Sequence, residues 1–156
     1  WDWLMPASKA AAIATGDASL LSEEELERMR IEEGIPAVPR DIGAADLPNE
    51  AGLERTAISY TKGCYLGQEV MARLKAMGQV RRRLVRVRNN AAAPTAVPAS
   101  LFSGDKRVGE LRSAVRVDAG WIGFAMVNVS GLTEDARLGW SPGDAADIRV
   151  ELLTYE

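Results

Sequence analysis

The sequence predicts an α+β protein: a helical first part and, from about residue 79, a run of short strands that form a small barrel or sandwich. Three observations carry this. Ser22 and Glu25 have the spacing of a capping box, in which a hydroxyl and a carboxylate pair reciprocally with the first orphan amides of a helix. Val70, Leu74 and Met77 fall on one face of a helical run that opens at Gln68. Beyond Val80, apolar and polar residues alternate in short stretches separated by Gly, Pro, Asp and Asn, the pattern of several short strands joined by turns.

Taken in order, Trp1 to Met5 reads as a short strand that Pro6 ends, and the alanine-rich stretch Ser8 to Thr15 as a helix, with Gly16-Asp17 as a turn. The capping box starts a helix over residues 23–33. Gly34 is placed to end it and Pro36 prevents its return. Residues 36–54 carry Pro36, Pro39, Pro48, Gly43 and Gly52 and read as loop. Thr56 to Tyr60 suits a short strand, and a helix over about 67–77 ends at Gly78. Strands follow over Val80–Arg88, Ala99–Ser103, Arg107–Val117, Trp121–Val129 and Asp147–Tyr155. The turns between them are marked by Gly104-Asp105, Asp118-Ala119-Gly120 and Ser141-Pro142-Gly143-Asp144. Trp121, Phe124 and Trp140 read as barrel core. The domain boundary falls near residue 79, giving units 1–78 and 79–156.

At 156 residues the chain can bury one sizeable core or two small ones. The net charge of −3 does not imply non-specific nucleic-acid binding by the whole chain. The charge is nevertheless segregated. Residues 17–54 hold eleven acids against three arginines, whereas 73–88 carry Arg73, Lys75, Arg81, Arg82, Arg83, Arg86 and Arg88 with no acid. No apolar run approaches the ~18 residues of a membrane span, so no membrane partner is expected. Trp1-Asp2-Trp3 lacks the basic start and apolar core of a secretory signal. One cysteine cannot form an intrachain disulfide, so a reducing, cytoplasmic setting is expected. The absence of histidine excludes His-based triads and His metal sites. One cysteine and no histidine cannot build a zinc or iron–sulfur site from this chain alone, so no resident metal is expected. No glycine loop of the phosphate-binding P-loop or Rossmann kind is present.

The stretch least like generic globular sequence is Lys62-Gly63-Cys64-Tyr65-Leu66-Gly67-Gln68-Glu69. Two glycines bracket the only thiol in the chain and an aromatic ring. Cys64 is expected in a tight turn just before a helix N-terminus, where the helix dipole and Lys62 favour a thiolate. The plain alternative is a small hydrophobe packed in the core. Lys62 and Tyr65 either take part in chemistry or frame the turn. Gln68 and Glu69 suit the first turn of the helix, where they complement its dipole and hold the loop. Arg30 lies among acids and reads by default as a solvated ion pair.

The octapeptide resembles the Lys-Gly-Cys-Tyr-x-Gly-Gln-Glu signature of the YgfZ family. These are folate-binding proteins related to the glycine-cleavage T-protein (aminomethyltransferase), and they support iron–sulfur cluster assembly and repair, including in tRNA-modifying enzymes. Arg30-Ile31-Glu32-Glu33-Gly34-Ile35-Pro36 resembles the family's Arg-x-Glu-x-Gly-Ile-Pro segment. Leu47 to Leu53 resembles its Pro-x-Glu-x-x-Leu stretch, and Val108 to Ser113 its Gly-x-x-x-Ser strand in the C-terminal barrel. The resemblance implies that residues 1–78 are the C-terminal part of a folate-binding, T-protein-like domain and 79–156 a small antiparallel β-barrel. It implies that the chain is the C-terminal half of a longer protein.

The resemblance also implies roles. Cys64 is the family's distinguishing residue, a nucleophile, redox thiol or transient ligand to a partner's cluster, with Lys62 beside it. Arg30 matches an arginine at the folate pocket of the related T-proteins, and Tyr65 is a second candidate folate contact; Glu32 and Glu50 match family acids and read as braces. Tetrahydrofolate is the implied cofactor of the full-length protein, and its principal acidic contacts lie upstream of this chain. The implied partners are folate and iron–sulfur proteins or their assembly machinery. The arginine run 81–88 is either the polar face of a strand or a channel lining for an anion such as RNA or polyglutamylated folate. No aromatics interleave it for base stacking, which counts against RNA. Two alternatives stand beside this reading: a one-carbon transferase of the aminomethyltransferase type, and a non-catalytic interaction module in which Cys64 only packs.

Overall fold

The computed structural model describes residues 21–54, 56–78, 80–129 and 136–153. The strand and helix expected within residues 1–15, the turn at Gly16-Asp17 and the far end of the last strand lie outside the described residues.

Helix α1 spans Glu23–Glu32. The capping box forms as expected: the Glu25 amide donates to Ser22 Oγ at 3.2 Å, and the Ser22 amide donates to Glu25 Oε2 at 2.7 Å. Gly34 ends the helix at φ 74°. The Ile35 amide donates to the Arg30 carbonyl at 2.7 Å and the Gly34 amide to the Ile31 carbonyl at 3.2 Å, the paired bonds of a Schellman stop. The loop that follows contains an element absent from the sequence reading, a 3₁₀ turn at Pro48–Ala51. Pro48 starts it, and the Glu50 carboxylate accepts from the Leu47 amide at 2.9 Å. Thr56 to Tyr60 is not a strand but a series of turns and bends. The Thr56 and Ala57 amides both donate back to the Leu53 carbonyl, so this backbone closes on itself rather than pairing with a neighbour. Helix α2 spans Gln68–Met77 and ends at Gly78, φ 64°. Among its described side chains the buried position is Met71, 9% exposed, while Val70, expected on the apolar face, is 53% exposed.

Six strands follow among the described residues: β1 Arg82–Asn89, β2 Ala99–Ser103, β3 Lys106–Val117, β4 Gly120–Asn128, β5 Arg137–Leu138 and β6 Ile148–Glu151. They form one sheet in the order β2-β3-β4-β1-β6-β5, with every pairing antiparallel. The two ends of that order meet. Phe102 of β2 and Gly139, just past β5, exchange both backbone hydrogen bonds, at 3.0 and 2.9 Å, which closes the sheet into a barrel. Bulges at Leu101/Phe102 and Leu111/Ser113 supply the bending that closure needs. Strand β5 has only two residues and no clear alternation, and the sequence reading missed it.

The barrel wall separates two cores. Val85, Val87, Leu101, Leu111, Trp121, Val127 and Val150 fill the interior, with Trp140 packed against them. On the outside, Ile31, Ile42 and Ala51 of the N-terminal arm cover Leu84, Val115, Ile122, Phe124 and Met126. Trp121 and Trp140 are therefore barrel core as expected, but Phe124 belongs to the outer core beneath the arm. Coverage on both faces explains why β4 is buried continuously from Trp121 to Val127 instead of alternating.

Candidate functional site

The signature segment is shaped by its own backbone. The Lys62 amide donates to Ser59 Oγ at 3.3 Å. Tyr65 and Gln68 are joined twice: the Tyr65 amide donates to Gln68 Oε1, and the Gln68 amide to the Tyr65 carbonyl, each at 3.3 Å. Gln68 thus holds the loop, as its position suggested. Gly67 caps α2 at φ 88°, a left-handed conformation that disfavours side chains. The Lys62 ammonium lies 4.6 Å from the centre of the Tyr65 ring, and the Lys75 ammonium 4.2 Å from that of Tyr60, both cation–π contacts. Cys64 is a free, exposed thiol on this loop, preceding the first helical residue by a turn rather than sitting on the helix terminus. Gly63 and Glu69 are exposed as well, Tyr65 is half-buried, and Leu66 is fully exposed. A cavity of about 220 Å³ lies behind the segment, lined by Tyr60, Leu74 and Lys75 together with Asn49, Glu54 and Arg83. Asn49 Oδ1 and Glu54 Oε2 are buried there without a partner among the described residues.

Arg30 is in a different setting. Its side chain is only 11% exposed, not the solvated surface arginine its acidic neighbours suggested. Nε and Nη2 donate to the Glu27 carboxylate at 2.8 and 2.6 Å, and Nη1 donates to Asp41 Oδ2 at 2.6 Å and to the Ile35 carbonyl at 3.2 Å. The guanidinium carbon lies 5.7 Å from the centre of the Phe124 ring. Of the five N–H donors of an arginine, one remains for a ligand. The side-chain hydrogen bond from Arg30 holds the Glu27 carboxyl down to about 2. Asp41 is fully buried, and its Oδ1 has no partner among the described residues.

A second charged seam ties the arm to the barrel. Asp46, 4% exposed at its side chain, receives Arg112 of β3 and Arg82 of β1. Arg82 also donates to both oxygens of Glu50, at 2.9 and 2.8 Å. The Arg112 hydrogen bond holds the Asp46 carboxyl below its usual range, and the Asp46 carboxylate raises Arg112 in turn. Glu50 braces as expected, and Glu32 pairs with Arg28 at 2.9 Å. The arginine run 81–88 is thus partly answered by distant acids. Arg82 faces Asp46 and Glu50, and Arg86 faces Glu151 at 2.7 Å. Sequence reasoning missed Asp41, Asp46 and Arg112, because their partners lie far along the chain and no local motif marks them. Among the described residues no group of three Cys, Asp or Glu is placed to hold a metal ion, and no helix is long and apolar enough to cross a membrane.

No family profile matches the chain. It is 30% identical over 145 residues to the tRNA-modifying protein YgfZ of Sodalis glossinidius (strain morsitans), a match covering 90% of this chain and 44% of that protein. It is 29% identical over 154 residues to the protein of the same name in Klebsiella pneumoniae (strain 342), covering 96% of this chain and 47% of the relative. A putative chloroplastic transferase of Arabidopsis thaliana, At1g60990, is 38% identical over 87 residues, covering 56% of this chain and 19% of its own. Among solved structures, the glycine cleavage system aminomethyltransferase T from Bartonella henselae superposes with a TM-score of 0.69 at 20% identity, covering 81% of this chain and 37% of that one. The chain therefore spans a little under half the length of the YgfZ relatives it matches.

Proposed function

The chain is a YgfZ-like segment of T-protein fold, and we propose that its protein is a folate-dependent factor supporting assembly or repair of iron–sulfur clusters, including those of tRNA-modifying enzymes. In this reading residues 1–78 belong to the folate-binding domain, residues 79–156 form the accompanying barrel domain, and the protein works in the cytoplasm. The observation that carries the proposal is Cys64: the only thiol of the chain stands exposed on a loop whose hydrogen bonds are local. Substitution there should remove chemistry without touching the fold. The reactive group is the Cys64 thiol, with Lys62 and Tyr65 as its paired neighbours. One cysteine cannot hold a cluster alone, so the thiol acts on a partner's cluster, a partner's thiol or a folate-borne group.

The test is complementation by the full-length protein in a cell lacking its own homologue. Cys64→Ser should lower the activity of cluster-dependent enzymes while circular dichroism and thermal melts stay at wild-type values. Full complementation by the mutant would overturn the proposal. It would favour instead a docking module, a reading that the full exposure of Leu66 and the 53% exposure of Val70 also support.

Folate contact belongs to the longer protein. Arg30 contributes chiefly by bracing Glu27 and Asp41, with one N–H left to donate. Tyr65 offers a half-buried ring. In this reading residues 1–156 supply only part of the folate pocket. Calorimetry with a tetrahydrofolate should show weak or no binding to residues 1–156 and clear binding to the full-length protein. Tight binding by the 156-residue chain would place the pocket elsewhere.

A further inference from the structure

Strands β1, β6 and β5 are neighbours, and their register sets Arg88 opposite Arg149 and Arg149 opposite Arg137. All three arginines are exposed, whereas the adjoining Val87, Ile148, Val150 and Leu138 belong to the barrel interior. Three arginines therefore stand in a row across the outer wall, on neighbouring strands whose backbones lie ~4.8 Å apart. Like charges directly opposite one another destabilise a sheet. Elsewhere this protein neutralises such charges, as at Arg82 and Arg112. Here it does not. Glu151 reaches Arg88 at 3.4 Å but is held more closely by Arg86, at 2.7 Å. Arg149 and Arg137 have no acidic partner among the described residues.

The three arginines line one cavity of about 450 Å³, together with Asn89, Asn90 and a single acid, Asp147. Asn89 Oδ1 accepts from the Ala91 amide at 2.7 Å, which leaves the Asn89 amide nitrogen free to donate. Among the described residues the lining is thus donor-rich, with three cations against one anion.

We propose that this cavity binds an oligophosphate group, two or more linked phosphates carried by a small molecule. Guanidinium forks pair with phosphate oxygens through two parallel hydrogen bonds and stay charged at any working pH. A row of three such forks suits linked phosphates better than a single one. The cavity volume is that of a small-molecule site. Among the described residues no aromatic side chain lines it, so they offer no platform for stacking successive bases of a nucleic acid. An anion lying along the row would replace the repulsion between its members with shared attraction.

Calorimetry of the 156-residue chain with inorganic tripolyphosphate tests this, with inorganic phosphate and a short single-stranded RNA as the other two probes. Tripolyphosphate should bind saturably at one site and raise the melting temperature. Its affinity should exceed that of inorganic phosphate by about tenfold or more, the scale of one added charge-assisted hydrogen-bonding group. Arg149→Gln should weaken tripolyphosphate binding by about tenfold or more. It should leave the melting temperature of the free protein unchanged or raise it, because the row's own repulsion is relieved. Arg107→Gln, an exposed arginine outside the cavity, should bind as wild type does. Absence of saturable tripolyphosphate binding, equal binding by Arg149→Gln, equal loss in Arg107→Gln, or binding of RNA without binding of tripolyphosphate would each overturn the proposal.

Discussion

The arm, residues 23–53, and the signature segment, residues 56–78, are neighbours in the sequence, and each is built from one helix and turns. They are held by different means. The arm shares a core with the barrel through Ile31, Ile42 and Ala51 and is pinned to it by Asp46–Arg112, Glu50–Arg82 and Asp46–Arg82. The signature segment buries one described side chain, Met71. Its first amides, Thr56 and Ala57, donate to the Leu53 carbonyl, and its side-chain hydrogen bonds run within the segment, between Ser59 and Lys62 and between Tyr65 and Gln68. Rigidity is thus invested in the arm and barrel, and the reactive residue types sit on an appended segment with little burial. Function is commonly placed this way, on loops carried by a packed scaffold.

The contrast is broken most strongly at the shared core. Phe124 is fully buried between arm and barrel. Phe124→Ala should cost about 3–5 kcal/mol, read as a lower urea midpoint, and it should detach the arm as well as loosen the barrel. A loss under about 1 kcal/mol would mean that the arm is not packed as described.

Next is the buried seam. Asp46→Ala leaves Arg112, 13% exposed at its side chain, without its main partner. Removing one member of a buried pair costs about 3 kcal/mol or more; Arg82 keeps Glu50 and softens the effect. Denaturant unfolding of the single mutant and of Asp46→Ala/Arg112→Met separates the pair's own worth from the penalty of a stranded charge. The double mutant should recover part of the loss.

Acid should act on this seam and on the Arg30 cluster. Glu27, at about 2, and Asp46 are both held below their ordinary values of 4.5 and 3.8 in the folded protein. Their contribution is therefore fully present above pH 4.5 and is lost as pH falls from there toward 2. Melting temperature should decline through that window, and Asp46→Asn should make the decline shallower. A decline of unchanged steepness in Asp46→Asn would remove Asp46 from the account.

The smallest effect sharpens the other side of the comparison. Cys64→Ser changes an exposed side chain and should shift stability by less than about 0.5 kcal/mol. The native thiol should react with a disulfide reagent without prior unfolding. Protection that disappears only on unfolding would show that the segment packs against something.

Local signals were decisive in the sequence. The Ser22–Glu25 box, the Gly34 stop, the run opening at Gln68 and Gly78 at its end fixed both helices to within a residue, because capping depends on neighbours three to five positions away. Alternation and turn residues located five of the six strands, and the octapeptide singled out Cys64 by composition alone. The tertiary structure decided what depends on distant partners. It closed the barrel through Phe102 and Gly139, a contact between segments far apart in the chain. It turned Phe124 outward beneath the arm, turned Arg30 from a solvent-facing cation into a part-buried brace, and brought Asp46 to Arg112 and Arg82. It also set Arg88, Arg149 and Arg137 in one row. Strand register and long-range charge pairing arise from how elements stack, and no window of neighbouring residues encodes that stacking.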